Sequence, residues 1–272
     1  MGASATGDNF FCISFYDGTD DLLKYAGAHY RIYFKGEQNR AAYEAFPSPQ
    51  KEYVENIGFN LYAYLKFIID HYDDLPEVVV FCKNSIYPRH MREGEFARLC
   101  SRKVFTPLVD RTYWNRLAFP VSATCADDGY LEINDSHYSR GRRGRYFSRF
   151  NDFFGFVFDQ GTPPDFLKFA PGANYVVPRA NILLRSRAFY QNLLTFIAYE
   201  PLALESYFIE RALELIWTSS IPEAAIMSAP LDDKSLAALQ THPDRSPSVI
   251  DRIRTKSAYA TTNFLAKLWQ HT

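Results

Sequence analysis

The first residues suited to chemistry are two polar groups that flank a helix-like stretch of this 272-residue chain. They are Asn56, Gly58 and Asn60 before the stretch, and Lys83, Asn84 and Ser85 after the apolar run that follows it. A glycine in such a turn lets the backbone approach a ligand, and the first turn of a helix favours anions. Lys83 would neutralise phosphate charge directly. The structural alternatives are a helix start with Gly58 in the turn and Asn60 as N-cap, and an ordinary strand-to-loop exit.

A second polar segment offers a general base. It contains Glu132, Asn134, Asp135, His137 and Tyr138. A carboxylate such as Glu132 or Asp135 can accept the proton of an attacking hydroxyl, and His137 and Tyr138 are candidates for substrate contacts. If the segment is extended, Glu132 and Asn134 share one face and Asp135 lies on the other. The alternative is a polar loop, and no second histidine gives His137 metal-ligand spacing.

An arginine-rich run follows this segment. It carries Arg140, Arg142, Arg143, Arg145 and Arg149, with two glycines among them. Arginine with glycine is typical of a mobile cationic loop, which would fold over a diphosphate or an anionic glycan, and Arg143 is its candidate for substrate binding. The alternatives are a solvated loop and nucleic-acid binding, for which the chain lacks a wider basic surface.

The last candidate is Glu210 with Arg211, in the predicted helix 202–217. At helical spacing Glu210 is flanked by the apolar side chains of Tyr207 and Leu213. A carboxylate among apolar neighbours has a raised pKa and is a better base. The alternative is an ion pair between Glu210 and a nearby arginine, either Arg179 or Arg211. Both arginines are also candidates for substrate contacts.

Alternating segments must position these residues. An apolar run at 10–16 predicts a strand that ends at the turn signal Asp17-Gly18, and a second strand is predicted at 30–34. Apolar residues at helical spacing predict a helix within 56–74, and the β-branched run 78–82 predicts a strand buried on both faces. Further patterns predict a strand at 173–178 and helices at 187–198, 202–217 and 262–270.

This order of a helix and a core strand is half of a βαβ unit, and it predicts an α/β fold with a mainly parallel central sheet flanked by helices. In such open sheets ligands bind just beyond the carboxyl ends of the strands, which is where Lys83 stands. We expect one domain over 10–272, with a flexible leader at 1–9 and a helical extension over 219–272.

The composition argues against several classes of protein. The net charge is −1, so no global field attracts nucleic acid or a membrane. The four cysteines form no C-x-x-C pair, which is typical of reduced thiols rather than a disulfide frame or a zinc site. The chain shows no secretory signal pattern and no apolar run long enough to span a membrane, so we expect a cytoplasmic protein. The many aromatic residues fill a thick core or, in part, line a sugar or base site.

The segment 56–85 resembles the signature of the family catalogued as domain of unknown function 3431. That signature has an Asn-x-Gly turn, a Tyr-Leu helix, a Tyr-Asp-x-Leu-Pro stretch and an apolar strand, in the order found here. The resemblance keeps its order over roughly 10–220. Its other matching pieces are Lys35-Gly36, Pro171-Gly172-Ala173 to Arg179, Phe189-Tyr190, Glu210-Arg211 and Trp217.

The same layout resembles bacterial glycosyltransferases of capsule and rhamnan assembly, which are similar to the nucleotide-diphospho-sugar transferase fold called GT-A. The resemblance implies transfer of a sugar from a nucleotide-sugar donor to a glycan or other hydroxyl acceptor. It places the donor near 56–60 and 83–85 and a base at Glu210, Asp135 or Glu132.

The chain departs from this pattern at two points. Phe59-Asn60 stands where the family has an arginine and an acid, and no strict Asp-x-Asp, the usual metal–diphosphate motif, is present. No cofactor is therefore assigned: a divalent Mn²⁺ or Mg²⁺ stays open, and so does metal-free chemistry with Lys83 in its place. The rival interpretations are a non-catalytic carbohydrate- or nucleotide-sugar-binding protein on the same fold, and a glycan hydrolase with two carboxylates.

Overall fold

The architecture is a central sheet with helices on both faces and a small second sheet. The computed structural model describes residues 9–19, 21–114, 123–126, 128–134, 139, 142–159 and 161–240, and of residues 113, 114 and 123–126 the backbone alone. Several sequence predictions therefore lie wholly or partly outside the described residues. Those on Asp135, His137, Tyr138, Arg140 and the helix at 262–270 lie wholly outside them, and so do residues 1–8 of the expected leader and residues 241–272 of the expected helical extension.

Nine strands lie in the described ranges. They are β1 Phe10–Phe15, β2 Tyr30–Lys35, β3 Lys51–Val54, β4 Val78–Lys83, β5 Thr106–Pro107, β6 Ala123–Ala126, β7 Gly129–Ile133, β8 Phe166–Phe169 and β9 Tyr175–Pro178. Six of them form the central sheet, in the order β3-β2-β1-β4-β9-β5. Neighbours among β1 to β4 are parallel, whereas β9 runs antiparallel to both β4 and β5. The expected α/β fold with a mainly parallel central sheet is confirmed.

Ten α-helices accompany these strands in the same ranges. They are α1 Leu23–Ala26, α2 Arg40–Ala45, α3 Phe59–Asp70, α4 Glu93–Cys100, α5 Arg111–Trp114, α6 Phe150–Val157, α7 Arg179–Ile182, α8 Arg187–Ile197, α9 Leu204–Thr218 and α10 Asp233–Leu239. Short 3₁₀ helices cover Glu37–Asn39 and Ala225–Ser228. No helix among the described residues is long and apolar enough to cross a membrane.

The period-two pattern of the central strands divides the core in two. On β1, Phe11 and Ile13 pack into the cluster that contains residues of α1 and α4, whereas Cys12 packs into the cluster with α3, α8 and α9. All six side chains of β4 are buried, because helices cover both faces of the sheet there. The odd-numbered residues of β4, and therefore Lys83 at its end, face the α3 side.

Several elements differ from the sequence-based expectation. The second sheet, β6-β7-β8, is antiparallel and was not predicted, since its strands are short and polar-rich. The strands β3 and β5 and the helix α6 were also missed. Asn9, expected in a flexible leader, is buried, and its side-chain amide donates to the carbonyls of Cys100 and Arg102 at 2.8 and 2.9 Å.

The first turn of α3 begins earlier than an N-cap at Asn60 would place it. Gly58 is the N-cap, with φ +60° and ψ +26°, and no side chain caps the helix. Asn60 is therefore not the N-cap but lies inside the helix, where its amide donates to the carbonyl of Gly172 at 3.2 Å. A Cβ on Gly58 would lie 2.9 Å from the Ile197 side chain on α8, so the glycine also permits close helix packing.

Substituting alanine for two glycines near or within helices should change the free energy of unfolding in opposite directions. Gly58→Ala forces a left-handed residue to carry a Cβ against Ile197, and we expect a loss of about 1–3 kcal/mol in the free energy of unfolding. Gly155→Ala, in α6, meets no atom within 4 Å and should gain about 0.5–1 kcal/mol. Urea unfolding of both variants measures the difference, and equal signs would contradict this account.

Candidate functional site

The strand order reverses between β1 and β4, and the loops that follow these two strands meet there. The chain leaves β1 toward β2 on one side, while β4 lies on the other. Asn84 joins the two loops: its backbone N–H donates to the Ser14 carbonyl at 3.0 Å, and its Oδ1 accepts from the Tyr16 N–H at 3.3 Å. Its side-chain amide also donates to the Asp17 carbonyl. Open parallel sheets bind ligands at such a reversal, so this edge is the candidate site.

Lys83 ends β4 at this reversal and is the most unusual side chain in the site. It is 8% exposed, and its backbone N–H donates to Asn174 Oδ1 at 3.1 Å. Its ammonium group makes no hydrogen bond or ion pair to any described residue. Burial, reinforced by the charge of Arg89, lowers the pKa of Lys83 well below its usual value, although Asp17 and Glu210 oppose the shift.

A second buried lysine at the same edge of the sheet differs from Lys83 because its ammonium group has hydrogen-bond partners. Lys35, at the end of β2, is 1% exposed, but its ammonium donates to the carbonyl of Ile57 at 2.7 Å and to that of Phe59. Burial lowers the pKa of Lys35 to about 7. Lys35 thus holds the turn between β3 and α3, whereas the side-chain nitrogen of Lys83 bonds to none of the described residues.

Glu210 approaches Lys83 from α9. Its Oε1 accepts from the Gly172 N–H at 2.6 Å, and its Oε2 lies 3.2 Å from the Arg211 guanidinium. The side chain is 19% exposed. Burial raises the pKa of Glu210, while the charge of Arg211 partly offsets this. The carboxylate is therefore fixed in place and more basic than a surface glutamate.

Glu132, a candidate base, has a structural role. It lies on β7, is fully buried, and accepts from Arg211 Nε at 2.8 Å. The Arg211 guanidinium lies 4.7 Å from the ring centre of Phe169 on β8. Glu132 therefore orients Arg211, which in turn contacts Glu210, and this makes Glu132 a positioning residue rather than a base. The expected ion pair of Glu210 is found with Arg211 and not with Arg179.

The 56–60 turn does not present its amides to a ligand as the sequence suggested. The N–H groups of Gly58 and Phe59 donate to the carbonyls of Glu200 and Pro201, at 3.1 and 3.4 Å. The first orphan donors of α3 are thus satisfied within the protein. Asn56 packs beside Gly36, where a Cβ on the glycine would lie 2.9 Å from Asn56 Cβ. The close approach expected of Gly58 is made to α8.

The described arginines of the cationic run pack mostly on the protein itself. Arg142 donates to the Leu202 carbonyl at 2.9 Å and lies over the Tyr207 ring. Arg145 lies over the Tyr199 ring, and Arg149 pairs with Asp152. Arg143 is exposed. A fully mobile loop is therefore the wrong description of residues 142–149.

Arg179 lies at the other end of the sheet. Its backbone N–H donates to Glu77, just before β4 begins, and its guanidinium donates to the Leu75 carbonyl at 3.1 Å. Because β4 spans six residues at about 3.3 Å each, roughly one strand length separates Arg179 from Lys83. Arg179 is removed from the candidate site. Ser85, by contrast, lies half-buried directly after Asn84.

Sequence reasoning missed several residues that the fold brings to this edge. Ser14 is paired with Lys83 across β1 and β4, and the hydroxyls of Ser14 and Tyr64 are buried without hydrogen-bond partners. His90 lies near Gly172, and burial together with the Lys83 charge lowers the pKa of His90. Ser14 and Tyr64 lie inside the apolar runs 10–16 and 61–69, where one polar group among apolar residues was the available signal.

No group of three or more His, Cys, Asp or Glu side chains able to hold a metal ion occurs in the part of the chain that the structure describes. Glu210 and Asp17 are the carboxylates whose charges act on Lys83 at this edge. Divalent cations such as Mg²⁺ are commonly bound through carboxylates together with substrate phosphates. A divalent ion brought in with a ligand would meet these two groups.

A family model described as protein of unknown function (DUF3431) matches residues 28–232. The chain belongs to the DUF3431 family. No curated protein and no solved structure matches the chain.

Some of the residues that resemble the DUF3431 signature lie at the edge of the sheet where β4 ends. Lys35 ends β2, Gly36 follows it, and Asn56 packs on Gly36. Gly172 contacts both Asn60 and Glu210 through its backbone. Other residues of the resembling segments lie at the opposite end of β4, where the Arg179 guanidinium donates to the Leu75 carbonyl.

Substituting methionine for each of the two buried lysines of this DUF3431 member should change the free energy of unfolding in opposite directions. Lys83→Met removes a buried amine that bonds to none of the described residues, and we expect a gain of about 1–4 kcal/mol in the free energy of unfolding at pH 7. Lys35→Met leaves two carbonyls unpaired and should lose about 2 kcal/mol or more. Chemical unfolding of both variants measures these changes.

The gain from Lys83→Met should depend on pH. The unfolded lysine keeps its ordinary pKa of 10.5, so between the lowered native pKa and that value the unfolded chain binds more protons than the native one. The free energy of unfolding of the wild type therefore rises with pH between the native pKa of Lys83 and 10.5. The stability advantage of Lys83→Met is largest below this range and decreases as the pH approaches about 10. An advantage that stays constant or widens over this range would contradict the account of Lys83.

Proposed function

We propose that this protein is a glycosyltransferase that moves a sugar from a nucleotide-sugar donor to a hydroxyl of a glycan or similar acceptor. The observation that carries the proposal is the ammonium of the buried residue Lys83, which bonds to none of the described residues and lies at the reversal of the strand order. Burying an uncompensated charge is costly, and such groups are retained where a ligand supplies the counter-charge. The diphosphate of a nucleotide sugar fits that requirement.

In the proposed reaction, the bond between the anomeric carbon and the diphosphate oxygen breaks while a bond to the acceptor oxygen forms. Negative charge grows on the leaving diphosphate, and Lys83 stabilises it inside a site of low dielectric constant. The acceptor hydroxyl loses its proton to Glu210. Nucleoside diphosphate and the glycosylated acceptor are then the products.

Glu210 suits the role of base for two reasons. Its carboxylate oxygens each accept about two hydrogen bonds, and the contacts from Gly172 and Arg211 leave capacity for a substrate proton. Its raised pKa brings its basicity closer to neutral pH. Asp135, which lies outside the described residues, stays a second candidate for this role.

The sheet order supports the same proposal without deciding the fold family. A parallel sheet that reverses between β1 and β4 provides the crevice in which nucleotides are bound in doubly wound folds. The GT-A-like assignment is part of the proposal. Cys12, Cys82 and Cys100 are buried as free thiols, which supports a reducing, cytoplasmic setting.

The proposal predicts that a nucleotide-sugar raises the melting temperature of the protein and is consumed when a glycan acceptor is present. Glu210→Gln keeps the shape of the side chain and should retain the thermal shift while lowering transfer about 100-fold or more. The screen covers UDP, GDP, CMP and TDP sugars, each with and without Mn²⁺.

Glu214→Gln is the matched control, because Glu214 lies one turn further along α9 and pairs with Lys168 at 3.0 Å. It should transfer sugar like the wild type. Full activity of Glu210→Gln would remove Glu210 as the base. A thermal shift without any transfer would favour the non-catalytic binding protein, and no shift with any donor would contradict the proposed function.

A further inference from the structure

We propose that Ser14, Tyr64 and Lys83 form a buried pocket that binds the diphosphate group directly, without a bridging divalent cation. The inference rests on the proposed function for the identity of its ligand. It adds Ser14, which neither the family signature nor the polar motifs of the sequence contain, and it gives a role to Tyr64, the tyrosine of the Tyr-Leu pair in that signature.

Ser14 stands beside Lys83 in the sheet. The two residues are partners in the register of β1 and β4, so in this parallel pair their side chains leave the same face. Ser14 is fully buried, and its hydroxyl has no hydrogen-bond partner. A polar residue of this kind at the end of an otherwise apolar strand costs stability unless something else satisfies it.

Tyr64 covers the same face from α3. Its ring lies 5.3 Å from that of Phe81, which precedes Lys83 by two residues on the same face of β4. Helical side chains lean toward the N-terminus of their helix, and α3 begins at the edge where β4 ends. Its buried hydroxyl also lacks a hydrogen-bond partner, and the negative charge of Glu210 acts on it.

Two buried hydroxyls without partners and the ammonium of Lys83 therefore lie on the same face of the sheet. One buried water would satisfy the hydroxyls but not the charge of Lys83. Phosphate oxygens accept from all three, and hydrogen bonds to an ionised group are about twice as strong as neutral ones. The charged groups that act on Lys83 are Arg89, Asp17 and Glu210, and the positive charge of Arg89 adds to the attraction for an anion.

The proposed function identifies a diphosphate as the anion. The negative charges of Glu210 and Asp17 act on Lys83 and oppose further negative charge beside them, so the second phosphate must lie on the side of Lys83 away from both carboxylates. A diphosphate then places its first phosphate on the three donors. Its sugar then lies on the Glu210 side.

The test is isothermal titration of the full chain with inorganic pyrophosphate in the presence of EDTA. We expect the wild type to bind. Ser14→Ala and Tyr64→Phe, which each remove one oxygen, should weaken binding about tenfold or more, and Lys83→Met about 100-fold or more. Thermal unfolding of each variant verifies that it is folded.

Tyr33→Phe is the matched control. Tyr33 on β2 is the register partner of Ser14, and its buried hydroxyl also lacks a hydrogen-bond partner, but the charges that act on it are those of Arg31, Glu52 and Asp70 and not that of Glu210. Removing its hydroxyl should leave pyrophosphate binding unchanged.

Two results would overturn the pocket: pyrophosphate that binds only after Mn²⁺ or Mg²⁺ is added, or wild-type affinity in both Ser14→Ala and Tyr64→Phe. The proposed function fails separately. Variant-sensitive pyrophosphate binding with no sugar transfer from any donor supports the pocket and contradicts the transferase. Sugar transfer together with pyrophosphate binding that requires a divalent cation supports the transferase and contradicts the pocket.

Discussion

Strand β4 lies between β1 and β9, and every one of its six side chains is buried. Most features of the site depend on this burial. A strand covered on both faces must be apolar in its interior, so a charged residue is tolerated only where the strand leaves the sheet. Lys83 occupies that position, and the helices that bury β4 also bury the lysine. The desolvation of its ammonium is therefore a direct consequence of the way the core is built.

Around Lys83 the polar groups are connected to one another through buried contacts. Glu132 on the second sheet holds Arg211, Arg211 contacts Glu210, and the Gly172 N–H fixes the other oxygen of that carboxylate. Buried ion pairs of this kind add little net stability, but breaking one leaves an uncompensated charge. Their contribution here is to hold the Glu210 carboxylate in one position. The second sheet thus matters to the site even though none of its described residues reaches Lys83.

The sequence was sufficient for the elements with strong local patterns. The apolar β4 and the helical spacing of α3, α8 and α9 predicted those elements to within a few residues. The short strands of the second sheet lack such a pattern, because their form depends on pairing with distant segments. The antiparallel direction of β9 was equally unavailable, since direction follows from tertiary connections and not from the composition of a strand.

The residues of the candidate site show the same difference between those with a local sequence signal and those whose role depends on distant partners. Lys83 and Glu210 were found because a charged residue beside apolar neighbours is visible in one dimension. The function of Glu132 was misjudged, since its partner Arg211 lies 79 positions away. Gly58 was expected to serve a ligand and instead accommodates Ile197, because a glycine in the sequence does not reveal what approaches it. Ser14 and Tyr64 became visible only as buried hydroxyls without partners.

The closed start of α3 has a consequence for how this edge attracts anions. Many phosphate sites use the fixed partial charge of a helix N-terminus, which does not change with pH. Here the first amides of α3 are occupied by the carbonyls of Glu200 and Pro201. In the proposed function the attraction comes from the side chain of Lys83, which can gain or lose its proton. The electrostatic potential of the crevice is therefore adjustable: acidification strengthens it, and a single neutral modification of one amine would remove much of it.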